Sequence, residues 1–203
     1  MIDRFGMEYL VTMTTHVPAG TSDADVDAMR GREAAHSAEL AAQRRLLRLW
    51  RPPLAPGEWR THGLFSASDD AELNETLLGM PLRVWRTDEI TSLGAHPNDP
   101  DAAQGKPPEY FTWFGSAIPD GTAQTAIDEK RAGEATRTRE LADEGLLLRL
   151  WMLPPGGPFW TLGLWSAADP AQLQSALESL PLYDWMTFET TPLTRHPSDP
   201  GSS

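Results

Sequence analysis

The chain of 203 residues contains no cysteine, which excludes disulfides, thiolate metal sites and cysteine nucleophiles. It is also short of cations, with 17 Lys and Arg against 29 Asp and Glu and a net charge of -12. That deficit argues against a nucleic-acid partner, because phosphate binding draws on clustered Lys and Arg; the surplus acid reads as solubility. No apolar run approaches the roughly 20 residues needed to span a bilayer. The opening MIDRFGMEYL is too short and too polar for a secretory signal, so a cytoplasmic protein with no membrane partner is expected. No histidine spacing suggests a metal site, and neither a glycine-rich phosphate loop nor a nucleophile elbow occurs.

What is present is a core-forming composition, 40% hydrophobic and 23% charged, in a length that suits one large domain or two small ones. Eight tryptophans are many for this length and serve as core, as interface or as walls for a flat ligand. The chain also repeats itself. Residues 46–50 and 147–151 both spell LLRLW. An offset of 101 carries Glu8-Tyr9 to Glu109-Tyr110, Pro18 to Pro119, Glu33 to Glu134 and Trp50 to Trp151. One residue drops out in the Pro/Gly loop, and an offset of 100 then carries Gly63 to Gly163, Asp69 to Asp169, Trp85 to Trp185 and His96-Pro97 to His196-Pro197. Two copies of this period are too few and too long for a solenoid, so the expectation is a first domain over 1–93, a linker over 94–107 and a second domain over 108–203 with a C-terminal tail.

Each copy carries the same order of signals. Apolar, aromatic runs at 8–15 and 109–117 predict strands, and the VPAGT and IPDGT turns follow. Stretches rich in Ala, Glu, Arg and Leu predict helices over about 23–44 and 123–143. LLRLW then predicts a second strand, and 59–66 and 159–166 a third. Second helices begin near Asp69 and Asp169, the latter followed by Pro170 in the first helical position, and they end before Pro81 and Pro181. Last strands are expected over 82–91 and 182–191. The class is α+β: two ferredoxin-like β-α-β-β-α-β domains. Each leaves one bare sheet face, and packing the two sheets face to face would make an intrachain dimeric α/β-barrel.

Within the first helix Val26, Glu33 and Leu40 recur every seven residues, as do Ile127, Glu134 and Leu141 in the second copy. Seven residues are nearly two turns, so each glutamate shares the inward stripe of its apolar neighbours. A carboxylate placed there has a raised pKa unless a cation or donor offsets its desolvation, and such a group suits proton shuttling. The plainer alternative is a buried ion pair, with Arg48 and Arg149 on the next strand or Arg30 and Arg131 one turn back. His36 lies three residues after Glu33 on the same side of the helix, where the second copy has Arg137; it is a candidate acid–base partner or a surface histidine.

At nearly full length, over about 8–99 and 109–199, each copy resembles the muconolactone Δ-isomerase family. The resemblance rests on the early strand and VP or IP turn, the helix with Glu33 or Glu134, the strand ending LLRLW, the PL motif after the second helix and the closing HP motif. SLPLYDWM and LTRHPSDP make the second copy closer at its end; LWR, with Arg51, makes the first copy closer after its second strand. The resemblance implies single ferredoxin-like domains that pair through their sheets and assemble into larger rings, and a double-bond shift in an unsaturated lactone without cofactor. It assigns proton transfer to Glu33 and Glu134, and it suggests that Arg195 and His196 of the tail cap a pocket of the first copy. The expected partners are a small-molecule substrate and other copies of the chain.

The candidate catalytic residues are therefore Glu33, Glu134 and His36. The candidate substrate-binding residues are Arg48, Arg51, Trp50, Trp85, Arg149, Trp151, Trp185, Arg195 and His196. The first reading is an isomerase that removes an acidic C–H proton and returns it elsewhere. The second keeps the fold but runs a cyclisation, dehydration or cofactor-free monooxygenation of a polyketide-type aromatic. The third is a binding protein with structural glutamates. Glu33, beside His36 and Arg51, makes the first copy the more reactive expectation.

Overall fold

The computed structural model describes residues 6–102, 105, 106 and 108–202. Readings that touch residues 1–5, 103, 104, 107 and 203 lie outside the described residues. Two compact units emerge: the first reaches Leu93 and includes the segment from Arg195 onward, and the second is Gly94–Thr194.

In the first unit the elements are β1 (Met7–Thr15), α1 (Asp23–Ala42), β2 (Leu46–Arg51), β3 (Arg60–Ala67), α2 (Asp70–Gly79) and β4 (Arg86–Ala95). The strands form an antiparallel sheet in the order β4-β1-β3-β2. The second unit repeats the plan with β5 (Glu109–Ser116), α3 (Gln124–Asp143), β6 (Leu147–Met152), β7 (Thr161–Ser166), α4 (Pro170–Glu178) and β8 (Met186–Arg195), in the order β8-β5-β7-β6. Both are ferredoxin-like α+β units. None of their described helices is long and apolar enough to cross a membrane.

The helix starts follow their capping residues. Ser22 accepts the Asp25 N–H, Asp69 accepts the Glu72 N–H at 2.9 Å, and Asp169 accepts the Gln172 N–H at 2.8 Å. The last strands begin later than expected. Residues Pro81–Trp85 and Tyr183–Trp185 are short 3-10 turns, and the strands run from Arg86 and Met186. A proline after the helix restarts a tight turn there, and its free N–H groups need acceptors.

The LLRLW strands carry a bulge between Leu46 and Arg48, repeated between Leu147 and Arg149. One extra residue lets Leu46 and Leu49 share the helix-covered face although three apart. Both join the core cluster of Tyr9, Val11, Met13 and Phe65. Arg48 and Trp50 then point to the opposite face, with the guanidinium 4.7 Å from the ring centre.

The closing segments divide differently from the expected boundaries of 94–107 as linker and 108–203 as one domain. Residues 94–102 belong to the second unit, where Asp99 accepts the Leu150 N–H at 2.8 Å and pairs with Arg149 at 3.0 Å. The segment from Arg195 belongs to the first unit, where Asp199 accepts the Leu49 N–H at 2.9 Å and pairs with Arg48 at 3.1 Å. The physical reason is the same in both: an arginine projecting from the bulged strand needs a carboxylate, and the HP-x-D segment brings one.

Candidate active site

A cavity of about 580 Å³ in the first unit lies between α1 and the sheet face beneath it. Its floor is Met13 and Thr15 of β1, Thr61 of β3, Leu49 and Arg51 of β2, and Arg86 of β4. Register places these on one face: Met13 pairs with Thr61, and Thr15 with Arg86. The roof is the inward stripe of α1 with Arg30, Glu33, Ala34 and Ser37. Met80 and Leu82 close one side, the 52–59 loop adds Leu54, Glu58 and Trp59, and the tail adds His196 to Ser198.

Glu33 is held at both oxygens. Oε2 accepts the Leu82 N–H at 2.8 Å, so the turn after α2 spends a free donor on the carboxylate. Oε1 accepts from Arg86 Nη1 at 3.1 Å. Arg86 in turn meets Asp88, with its Nε 2.6 Å from Oδ1, and only 2% of its side chain is exposed. Arg83 Nε lies 3.5 Å from the same aspartate. The glutamate thus ends a line of alternating charge, Arg83–Asp88–Arg86–Glu33, most of it buried.

His196 enters by a backbone bond from its N–H to the Leu49 carbonyl at 3.1 Å. Its Nδ1 accepts the Ser198 N–H at 3.1 Å, so the neutral ring carries its proton on Nε2. Burial, reinforced by the Arg51 charge and opposed by Asp199, pushes its pKa down to about 4. At neutral pH the ring is therefore an uncharged donor in the cavity wall.

The second unit keeps the glutamate and loses its surroundings. Glu134 Oε2 accepts the Leu182 N–H at 3.0 Å, as Glu33 does from Leu82. At the places of Arg86 and Asp88, however, stand Met186 and Phe188, which pack against the core around Phe114 and Trp165. The cation nearby is Lys130, which donates to the Pro181 carbonyl at 2.5 Å and lies 4.7 Å from the Trp185 ring centre. Desolvation raises the Glu134 pKa, with the Leu182 N–H and Lys130 opposing it. A smaller cleft of about 390 Å³ sits beside Ala135 and Thr138, and Glu134 is not among its walls.

Of the residues expected at a site, the structure gathers Glu33, Arg51 and His196 around one cavity. Arg48 and Arg149, expected to bind substrate or, in the ion-pair alternative, to meet the helix glutamates, instead sit in the aspartate pairs of the closing segments, and neither lines the cavity. Trp50 and Trp151 are 0% and 2% exposed under the Arg48 and Arg149 guanidinium groups, so they pack rather than line a pocket. His36 is half-buried, lies 3.5 Å from Glu39 and is not among the cavity walls. Arg195 donates to the Gly201 carbonyl, and Trp85 and Trp185 lie in the turns before β4 and β8; none of the three lines the cavity. Sequence reading passed over Arg86, Asp88 and Trp59. Arg86 was visible as the place where the 100-residue offset changes an arginine into Met186.

The sequence model of the muconolactone delta-isomerase family matches residues 7–99 and again 109–199. The chain belongs to the muconolactone delta-isomerase family. Among relatives of this double-length family member, muconolactone Delta-isomerase 1 of Acinetobacter lwoffii is 33% identical over 81 residues, 40% of this chain and 82% of that protein. The enzyme of Cupriavidus pinatubonensis is 29% identical over 92 residues, 45% of this chain and 97% of that protein. Among solved structures, a chlorite dismutase from Candidatus Nitrospira defluvii aligns over 94% of this chain and 92% of its own, with a TM-score of 0.63 and 8% identity. That likeness shows the fold alone.

Proposed function

We propose that the chain is a cofactor-independent isomerase whose working site is the cavity of the first unit, with Glu33 as the proton carrier. The observation that carries this reading is the contrast between the two glutamates: Glu33 forms a wall of the large cavity, whereas Glu134 does not reach the smaller cleft.

The substrate is an unsaturated lactone or a related conjugated carbonyl compound. Glu33 takes the acidic proton from the carbon next to the conjugated system. The C–H electron pair moves into that system and ends on the carbonyl oxygen as a dienolate. The glutamic acid returns the proton to another carbon of the same system, and the double bond has moved with no change of oxidation state. Arg30, one helical turn from Glu33 on the cavity roof, brings positive charge to the developing oxyanion. The isomerase reading is preferred to cyclase, dehydratase or oxygenase chemistry because both halves match the isomerase family.

The test uses muconolactone in deuterium oxide, followed by NMR for ring-carbon exchange and for product. Glu33→Gln is expected to abolish both, and Glu134→Gln to leave both within about twofold. Full turnover by the Glu33 variant would refute the assignment.

A further inference from the structure

The cavity of the first unit has two cationic ends that differ in kind. At the β4 edge, Arg86 is consumed by Glu33 and Asp88. On β2, Arg51 has no carboxylate partner among the described residues, in a chain whose net charge is -12. His196, with its Nε2–H donor, is held at the same strand by the Leu49 carbonyl. In the sheet order β4-β1-β3-β2 these two ends are three strand spacings apart, roughly 14 Å between backbones at about 4.8 Å per spacing.

Between the ends stand apolar side chains, Met13 and Leu49 on the floor and Leu54 and Trp59 at the side, interspersed with Thr15, Thr61 and Glu58. Arg30 lies 4.6 Å from the Trp59 ring centre, so it holds the indole as part of the wall. A volume of about 580 Å³ falls in the range that buries a drug-sized ligand. A single small lactone ring would leave most of it filled with water.

We propose that the substrate of this site carries an anionic group remote from its reacting carbon, joined to it by a flat apolar spacer. The anionic group, a carboxylate or its equivalent, sits on Arg51 and the His196 Nε2–H. The spacer, an aromatic ring or a conjugated chain, lies over Met13 and along Trp59. The acidic C–H then reaches Glu33 at the other end. The inference deepens the isomerase reading and rests on it for the position of the reacting carbon. The second unit lacks this arrangement, with Met152 at the place of Arg51 and Phe159 at that of Trp59.

The test compares three probes by calorimetry with the intact chain: muconolactone, a butenolide bearing a 4-carboxyphenyl group on the ring, and the methyl ester of that compound. The carboxyphenyl probe is expected to bind at least tenfold tighter than muconolactone. Arg51→Met, which copies the second unit, should cost that probe about tenfold or more and leave the ester within about twofold. Equal binding of the long and short acids, an ester that binds as well as its acid, or no binding by any probe overturns the proposal. Deuterium exchange on the same samples separates the two readings. If the long acid binds best yet no probe exchanges, the isomerase assignment falls and the two-ended cavity stands. If muconolactone exchanges well and binds best, the remote-anion proposal falls and the isomerase stands.

Discussion

Replacing Arg86 by methionine should be more harmful alone than together with a second change. Arg86 is 2% exposed at its side chain and sits between Glu33 at 3.1 Å, itself 13% exposed, and Asp88 at 2.6 Å, 4% exposed. Arg86→Met leaves two carboxylates facing a methionine. Removing one partner of a buried ion pair costs about 3–5 kcal/mol, because the remaining charge is desolvated and uncompensated. Arg83, 3.5 Å from Asp88, offsets part of this, so a loss of about 3 kcal/mol is expected. The double variant Arg86→Met, Asp88→Phe recreates Met186 and Phe188, which pack against the core of the second unit. It leaves Glu33 on the Leu82 N–H, as Glu134 is on that of Leu182. Replacing a buried pair by apolar groups is often neutral, so the double variant should recover at least about 1–2 kcal/mol of the single variant's loss. Urea unfolding of the wild type, both single variants and the double variant gives the coupling energy directly. A double variant as unstable as the sum of the two single ones would refute the view that the charge line is one cooperative unit that the second copy has replaced whole.

Other outcomes follow from the same geometry. His62 lies 3.0 Å from the Thr12 hydroxyl, and burial, with Arg60 adding to it, lowers its pKa to about 4. The unfolded chain binds its proton more readily, so the stabilisation is full above about pH 6.5 and is lost as pH falls towards about 4. Over that range it amounts to something on the order of 3 kcal/mol. His62→Leu, the residue of the second copy, should flatten the stability profile between those pH values in thermal melts; an unchanged slope would contradict this. Glu134 has a raised pKa, so its penalty is absent at acid pH and present above its folded pKa. Glu134→Gln should therefore gain stability relative to wild type as pH rises from about 4 to 7, again read by unfolding; a pH-independent difference would refute it. Asp199→Ala strips the carboxylate from Arg48, where both side chains are at most 5% exposed. It should cost about 3–5 kcal/mol and also weaken ligand binding, because the same segment carries His196.

The sequence alone determined the duplicated α+β plan, because hydrophobic period, proline and glycine turns and helix caps are local signals that each copy states independently. It also determined the inward place of Glu33 and Glu134: seven residues bring a helix back almost to the same face. What the tertiary structure decided was which groups meet these glutamates. The arginines of the next strand, Arg48 and Arg149, lie beyond a bulge that turns them to the opposite face, and they pair with Asp199 and Asp99 from 151 and 50 residues away. Arg86, 53 residues from Glu33, arrives through the β1–β4 register, which no spacing along the chain encodes. The inequality of the copies was legible as substitutions, Arg86 for Met186 and Arg51 for Met152. Only the fold shows that these positions frame one cavity, because strands distant in sequence set its floor.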